Sequence, residues 1–350
     1  MLTYKFKLKG GHKKLRTMAC KVNFVWNYCN ETSLKAIKRD GKFLSGYDLQ
    51  ALTSGCSKTL NSNAQTVQAV CEEYAKSRKQ AKKRRLEWRK SGGARRSLGW
   101  VPFKASGASV KEDRVTFAKQ SFKFFKSREL PGKIKTGCFV EDACGDWYVC
   151  FVCEAPAIEP APNRAVGVDL GLSSLATTSD GEVFDNPRSF YKNQELLAKA
   201  QRFGKKKRTV RIHRKITRIR KDNLHKISSS LTGSYAKIIV GNLNLAKGKA
   251  TNDASFRGLI PLLEYKASRR QGEVIQVNEA YTTVTCNRCL ERTGPTGLTG
   301  LSVREWVCDR CGQSHSRDVN AAINILRLGF QTPVTSGELL ANQIEGIPRL

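Results

Sequence analysis

Cys286, Cys289, Cys308 and Cys311 form two Cys-x-x-Cys pairs with eighteen residues between them. Tetrahedral zinc takes four thiolates, and two such knuckles on facing turns supply them at this spacing. A redox role fits less well, because paired knuckles of this kind are far commoner as zinc ligands. Two aspartates flank the array. Asp169 closes the apolar run Ala165-Val166-Gly167-Val168-Asp169-Leu170-Gly171, and Asp318 lies in Ser316-Arg317-Asp318-Val319-Asn320-Ala321-Ala322-Ile323-Asn324. A carboxylate at the end of a buried strand is costly unless a cation neutralises it. Joined by a second and third carboxylate, it could help hold two Mg²⁺ about 4 Å apart, which clamp the attacking and leaving oxygens of a phosphodiester. A zinc ribbon between a strand-end aspartate and a helix-start aspartate therefore points to a metal-dependent nuclease with a nucleic-acid-contacting module. Plainer readings exist: Asp169 as a turn residue, Asp318 as a first-turn acid answering the helix dipole, and a ribbon that serves folding alone.

The elements that position these groups can be read from hydrophobic period. Residues 3–9 alternate like a strand, with Tyr4, Phe6 and Leu8 on one face. Helical periods follow from about Lys13 to Lys38, Gly46 to Leu60 and Ala64 to Lys90, broken by Ser91-Gly92-Gly93-Ala94. Short β-like runs fill residues 100–156: Trp100 to Phe103, Val115 to Phe117, Phe122 to Phe125 and Trp147 to Cys153. The Pro-rich stretch Ala155–Pro162 reads as a linker. Beyond it come strands at Ala165 to Gly171, Leu175 to Thr178 and Glu182 to Asp185, then a basic amphipathic helix from about Asn193 to Ser230. A strand at Lys237 to Val240, a helix at Phe256 to Arg270, a strand at Val274 to Val277, the ribbon, and a helix at Arg317 to Leu328 complete the order. The last twenty residues have no periodicity and read as a mobile tail.

The chain has 350 residues, with 62 Lys and Arg against 30 acids, a formal charge of +32. That excess makes a compact chain repel itself, and a polyanionic partner is the economical explanation. It is concentrated: eleven cations and one acid lie between Lys76 and Arg96, and twelve and one between Arg202 and Lys226. Such runs are often only solvated faces, but at this density contact with RNA or a heteroduplex is the better reading. Tyr74, Trp88 and Trp100 are candidates for base stacking, or for core. The N-terminus lacks a signal-peptide pattern, and no apolar run approaches the roughly 20 residues of a membrane helix. A reducing, cytoplasmic setting is expected, with no membrane partner.

Four segments, Val166–Gly171, Leu263-Glu264-Tyr265-Lys266-Ala267, Thr283–Cys289 and Arg317–Ala322, together resemble the TnpB family, transposon-encoded RNA-guided nucleases related to the type V CRISPR effectors. The resemblance covers nearly the whole chain. It implies an α+β multidomain fold: a wedge β-barrel from 1–12 and 100–156, a helical recognition domain at 13–99, a linker at 157–163, a RuvC-like, RNase H-type α/β domain from 164–282 and 315–330, a zinc ribbon at 283–314, and a tail at 331–350. It also implies a guide RNA from the transposon end, a short flanking DNA motif, double-stranded DNA as target, one structural Zn²⁺ and two catalytic Mg²⁺. One magnesium would activate water and the other would stabilise the leaving 3′ oxygen, giving 5′-phosphate ends.

The sequence departs from the family at the middle carboxylate. Most members carry a glutamate in the fourth RuvC strand directly before Asx-Leu, whereas here the stretch is Ile238-Ile239-Val240-Gly241-Asn242-Leu243. Glycine binds no metal. Between that strand and the ribbon the acids are Asp253, Glu264, Glu273 and Glu279. Glu264 is the first choice: it lies on a helix expected to pack beside the Gly241 strand, and the family resemblance implies a relocated helical carboxylate in some members. The expected metal set is then Asp169, Glu264 and Asp318. Loss of the carboxylate altogether would leave an RNA-guided DNA-binding repressor that does not cut.

Overall fold

The structure is a computed structural model of the 350-residue chain, and it describes residues 1–242, 256–300 and 302–331. The chain divides into two compact units, Met1–Pro156 and Ala157–Leu350. Asp253 and all of the tail after Gln331 lie outside the described residues.

The first unit is built on a four-stranded antiparallel sheet, ordered β1 (Leu2–Lys7), β7 (Trp147–Cys153), β6 (Ile134–Glu141) and β2 (Trp100–Lys104). A smaller sheet of β3 (Ala108–Lys111), β4 (Arg114–Phe117) and β5 (Gln120–Lys123) joins it, with Leu8 bridging to Phe124. Phe6, Phe103, Phe117, Phe122, Phe124, Phe139 and Phe151 meet between the sheets at ring separations of 5.1–6.3 Å. Offset and edge-on rings fill a small core efficiently.

Between β1 and β2 the chain leaves for four helices: α1 (His12–Asp40), α2 (Gly46–Leu52), α3 (Cys56–Thr59) and α4 (Ala64–Ala81). The helix expected over Gly46–Leu60 is thus two short ones. The helix expected from Ala64 to Lys90 ends at Ala81, where Lys82 adopts a left-handed φ of 51°. The residues beyond it run extended because α1 holds them. Asn30 accepts from the Leu86 amide and donates to its carbonyl, at 3.0 and 2.8 Å. Asn27 does the same for Arg89, both at 2.8 Å. Asn23 accepts from Arg89 Nε at 2.7 Å and donates to Ser91. These asparagines, spaced four and three apart, share one helix face and pair with the strap as a neighbouring strand would. Cationic residues carry no apolar period that would reveal this.

The second unit centres on a five-stranded sheet ordered β10 (Val183–Asp185), β9 (Ser174–Thr178), β8 (Ala165–Asp169), β11 (Lys237–Gly241) and β12 (Glu273–Val277). β8, β11 and β12 run parallel, while β9 and β10 are antiparallel additions. The expected single basic helix is two, α5 (Ser189–Arg202) and α6 (Lys206–Ser234), broken at Phe203-Gly204, where Gly204 has φ +60°. α7 (Leu259–Arg269) has Pro261 in its first turn, where a missing N–H costs nothing, so the proline starts this helix rather than kinking it.

The sheet is covered on both faces, and the two covers differ. Val166, Val168, Ile238 and Val240 face α6 and α7, meeting Leu224, Ile227, Leu231, Leu259 and Leu263. The alternate residues face α9 (Arg317–Gln331). That helix lies very close: a Cβ at Gly167 would fall 2.0 Å from the Ala322 carbonyl, and one at Gly329 would fall 2.2 Å from Ile239 Cγ1. The remaining elements, α8 (Gly297–Gly300), β13 (Glu305–Val307) and β14 (Ser314–Ser316), belong to the cysteine-bearing insertion. No described helix is long and apolar enough to cross a membrane.

Candidate active site

Asp169 ends β8, and the parallel register pairs Val168 with Val240. One step further along, Gly241 is its lateral neighbour, and both residues point to the face that α9 covers. Asp318 enters from the first turn of that helix. Glycines at 167 and 329 let α9 settle onto the sheet, so the two expected aspartates belong to one site.

Glu264 does not join them. It is exposed on α7, and α7 packs through Leu259 and Leu263 against the opposite face of the sheet. The expectation that this helix covers the vacant side of Gly241 fails because Gly241 faces α9, with the Ile325 side chain 3.1 Å from its Cβ direction.

The acid that does arrive is Glu279, two residues past β12. A Cβ built on Gly241 would lie 2.2 Å from Glu279 Oε2 and 3.1 Å from Glu279 Cβ. The glutamate therefore occupies the space that a side chain at position 241 would need. Glu279 Oε2 is buried and has no hydrogen-bond partner among the described residues, which is the condition of an oxygen awaiting a cation.

Asp169 lies within the electrostatic reach of both other acids. Burial, and then the negative charges of Asp318 and Glu279, push the Asp169 carboxyl up to about 7, against a downward pull from Arg317 and Arg304. Burial also raises Glu279. Arg304 pairs with Asp318 at 3.3 Å. Like-charged carboxylates gathered at a strand end and partly covered by arginines make a cradle for hard cations with oxygen ligands.

Two residues with no role assigned from sequence hold Glu279 in place. Asn320 Nδ2 and Asn324 Nδ2 both donate to the carbonyls of Thr282 and Thr285, at 2.7–3.2 Å. Thr282 in turn donates its N–H and hydroxyl to the Glu279 carbonyl, at 3.1 and 2.8 Å. Asn320 and Asn324 sit four apart on α9, on the helix that carries Asp318. Their spacing in Asp318-Val319-Asn320-Ala321-Ala322-Ile323-Asn324 is the available signal.

The raised carboxyl gives a prediction for metal-free protein. Asp169 binds a proton more tightly when folded than at its ordinary value of 3.8, so its contribution to stability falls as pH rises from about 4 to 7 and stays low above that. Asp169→Asn should therefore raise the melting temperature in EDTA at pH 8, by about 2–4 °C for each kcal/mol relieved. The gain should vanish near pH 4. Equal melting of wild type and variant at pH 8 would show that the charge is not strained.

The cysteine cluster meets the geometry of zinc. The ligand sulfurs of Cys286, Cys289, Cys308 and Cys311 all lie within 4.8 Å of one another. The Cys286–Cys311 and Cys289–Cys308 separations are 3.7 and 3.5 Å, near the roughly 3.8 Å edge of a tetrahedron with 2.3 Å bonds. Thr293 Oγ1 donates to Cys308 Sγ at 3.1 Å, and His315 Nε2 lies 3.1 Å from Cys286 Sγ. Such partners fix thiolates in place. The insertion is joined to α9 by the Asn287 amide, which donates to Asn320 Oδ1 at 2.9 Å, and by Arg327, which donates to the Asn287 carbonyl.

Residues 148–251 match the model of a family described as a probable transposase, OrfB_IS605, and residues 256–325 match the Cas12f1-like TNB domain. A Streptomyces pristinaespiralis protein named "Putative RNA-guided DNA endonuclease" is 33% identical over 67% of this chain and 64% of its own length. The Escherichia coli protein named "Putative RNA-guided DNA endonuclease InsQ" is 32% identical over 62% of each. The chain thus spans somewhat under two-thirds of these relatives. The fold matches the solved Cas12f1-sgRNA-target DNA complex with a TM-score of 0.58, at 13% identity, over 89% of this chain and 82% of that one. The chain belongs to the TnpB family.

Proposed function

We propose that the protein is an RNA-guided DNA endonuclease whose metal site is Asp169, Glu279 and Asp318. The observation that carries this reading is the Glu279 carboxylate standing in the space of the absent Gly241 side chain, beside Asp169. Two Mg²⁺ held there would supply Lewis-acid stabilisation and an activated water for hydrolysis of a phosphodiester. The protein's own part is to gather three carboxylates on a rigid sheet and helix, and to balance them with Arg304 and Arg317 until cations arrive. The four cysteines would hold one Zn²⁺ and keep the insertion folded. The guide RNA, drawn from the transposon end, would carry most of the sequence information, and the protein would read a short flanking motif and heteroduplex shape. The natural setting would be a prokaryotic cytoplasm.

The test is expression with the DNA that flanks the gene. A discrete structured RNA should copurify, and its affinity should fall steeply with salt, as many phosphate contacts demand. With a guide matched to a plasmid, Mg²⁺ should give cleavage that EDTA stops. Recovery of random RNA fragments alone would leave a general nucleic-acid binder. Guide-dependent binding without cleavage would establish the repressor reading instead.

A further inference from the structure

In the first unit, a cavity of about 640 Å³ opens where residues 43–46 cross the C-terminal end of α4. Arg78 lies in its wall, with Lys76, Lys79, Lys82 and Lys83 around it, and no acid lines it among the described residues. The nearby Asp48 is engaged elsewhere: it caps α2 with Ser45 and lies 3.5 Å from Lys42.

Arg78 is only 5% exposed. Its Nη2 donates to the Leu44 carbonyl at 2.6 Å, and its buried Nη1 has no hydrogen-bond partner among the described residues. A guanidinium keeps its charge at any working pH, and a buried one without an anion or a full set of hydrogen bonds is costly. Phe43 completes the site. Phe43 is 58% exposed, and the Arg78 guanidinium lies 5.4 Å from its ring centroid and 5.7 Å from that of Tyr74.

Five cations and one open aromatic face match the two halves of a nucleotide: phosphate for the charges, and base for the ring. A small inorganic anion would leave Phe43 without a role. A base reaches a pocket of this kind only when it is out of the stack, which favours single-stranded segments over duplex. We propose that this cavity receives one unpaired nucleotide of RNA, with its base on Phe43 and an adjoining phosphate on Arg78 and the lysines. In the cell that RNA would be the guide, an assignment that rests on the function proposed above.

The test uses full-length protein in two forms. RNA-stripped protein is exposed to a short oligouridine containing thio-substituted uridine and irradiated. The crosslink should map to the peptide around Phe43. Phe43→Ala should weaken oligouridine binding about tenfold, the scale of one stacked base, with unchanged melting because the ring is exposed. Phe43→Tyr should restore binding. Replacing Lys79, Lys82 and Lys83 by Ala should reduce the salt slope by about 0.7 for each phosphate that these lysines neutralise. Arg78→Met fills the buried volume without charge and should abolish the crosslink; should it unfold, the Phe43 pair still decides. In the copurified complex, one nucleotide shielded from 2′-hydroxyl acylation in wild type should become reactive in Phe43→Ala. Crosslinks elsewhere, with Phe43→Ala binding like wild type, would overturn the proposal. So would protection by inorganic phosphate alone, or capture of single-stranded DNA with no change in the RNA pattern. A Phe43 crosslink in protein that carries no discrete RNA would support the pocket while refuting the guide reading.

Discussion

Glu279→Gln should reduce Mg²⁺-dependent cleavage of guide-matched DNA by roughly a thousandfold or more while DNA binding persists, as expected when one member of a cooperating set is removed. The substitution keeps shape and packing and removes only the charge that a metal needs. Asp169→Asn and Asp318→Asn should fall as far, and the triple variant little further. Glu264→Gln should cut like wild type, since its side chain is on α7, across the sheet from the site. The close approach of Gly241 and Glu279 allows a sharper experiment. Gly241→Glu alone presses a second carboxylate into space already filled, 2.2 Å from Glu279 Oε2 at the first carbon, and should lower both melting temperature and cleavage. Combined with Glu279→Ala, the same change should recover cleavage well above that of Glu279→Ala alone. Full activity in Glu279→Gln would remove this residue from the metal site.

The second large effect concerns the insertion. Cys308→Ser should take bound zinc from about one per chain to none, because three thiolates cannot close a structural tetrahedral site. Cleavage should fall at least about tenfold with it. The ribbon's Asn287 is bonded to Asn320 and Arg327 of α9, and Asn320 and Asn324 fix the turn that follows Glu279. Loosening the ribbon should therefore loosen Glu279, the ligand proposed above. Elemental analysis and single-turnover cleavage on the same preparation would check both halves. Unchanged zinc in the variant would refute the ligand set. Zinc loss with full cleavage would show that the turn holds without the ribbon.

What can be read from the sequence follows physical cause. The cysteine spacing and the aspartates at 169 and 318 are legible because each is set by local geometry: a knuckle, a strand end, a helix start. The strands β8 and β11 are legible because they are buried on both faces and run almost continuously apolar. The second carboxylate is not. Its identity depends on which face of the sheet each helix covers, and the periods of α7 and α9 say only that each has an apolar stripe. Gly241 and Glu279 are 38 positions apart, and nothing local marks them as alternatives for one volume. The extent of α4 is hidden for a related reason. Lys and Arg are good helix formers, so the run after Ala81 looks helical, and only three asparagines on another helix draw it into an extended path.

The asparagine ladder has one more consequence. Amide groups at positions 23, 27 and 30 grip main-chain atoms of the strap, along with one arginine branch and one serine hydroxyl. The identities of Glu87, Trp88 and Lys90, all exposed, do not enter that grip. The strap's path and its outward face can therefore change independently. These three positions are suited to saturation libraries, because variants there should alter what the surface contacts without disturbing the scaffold beneath.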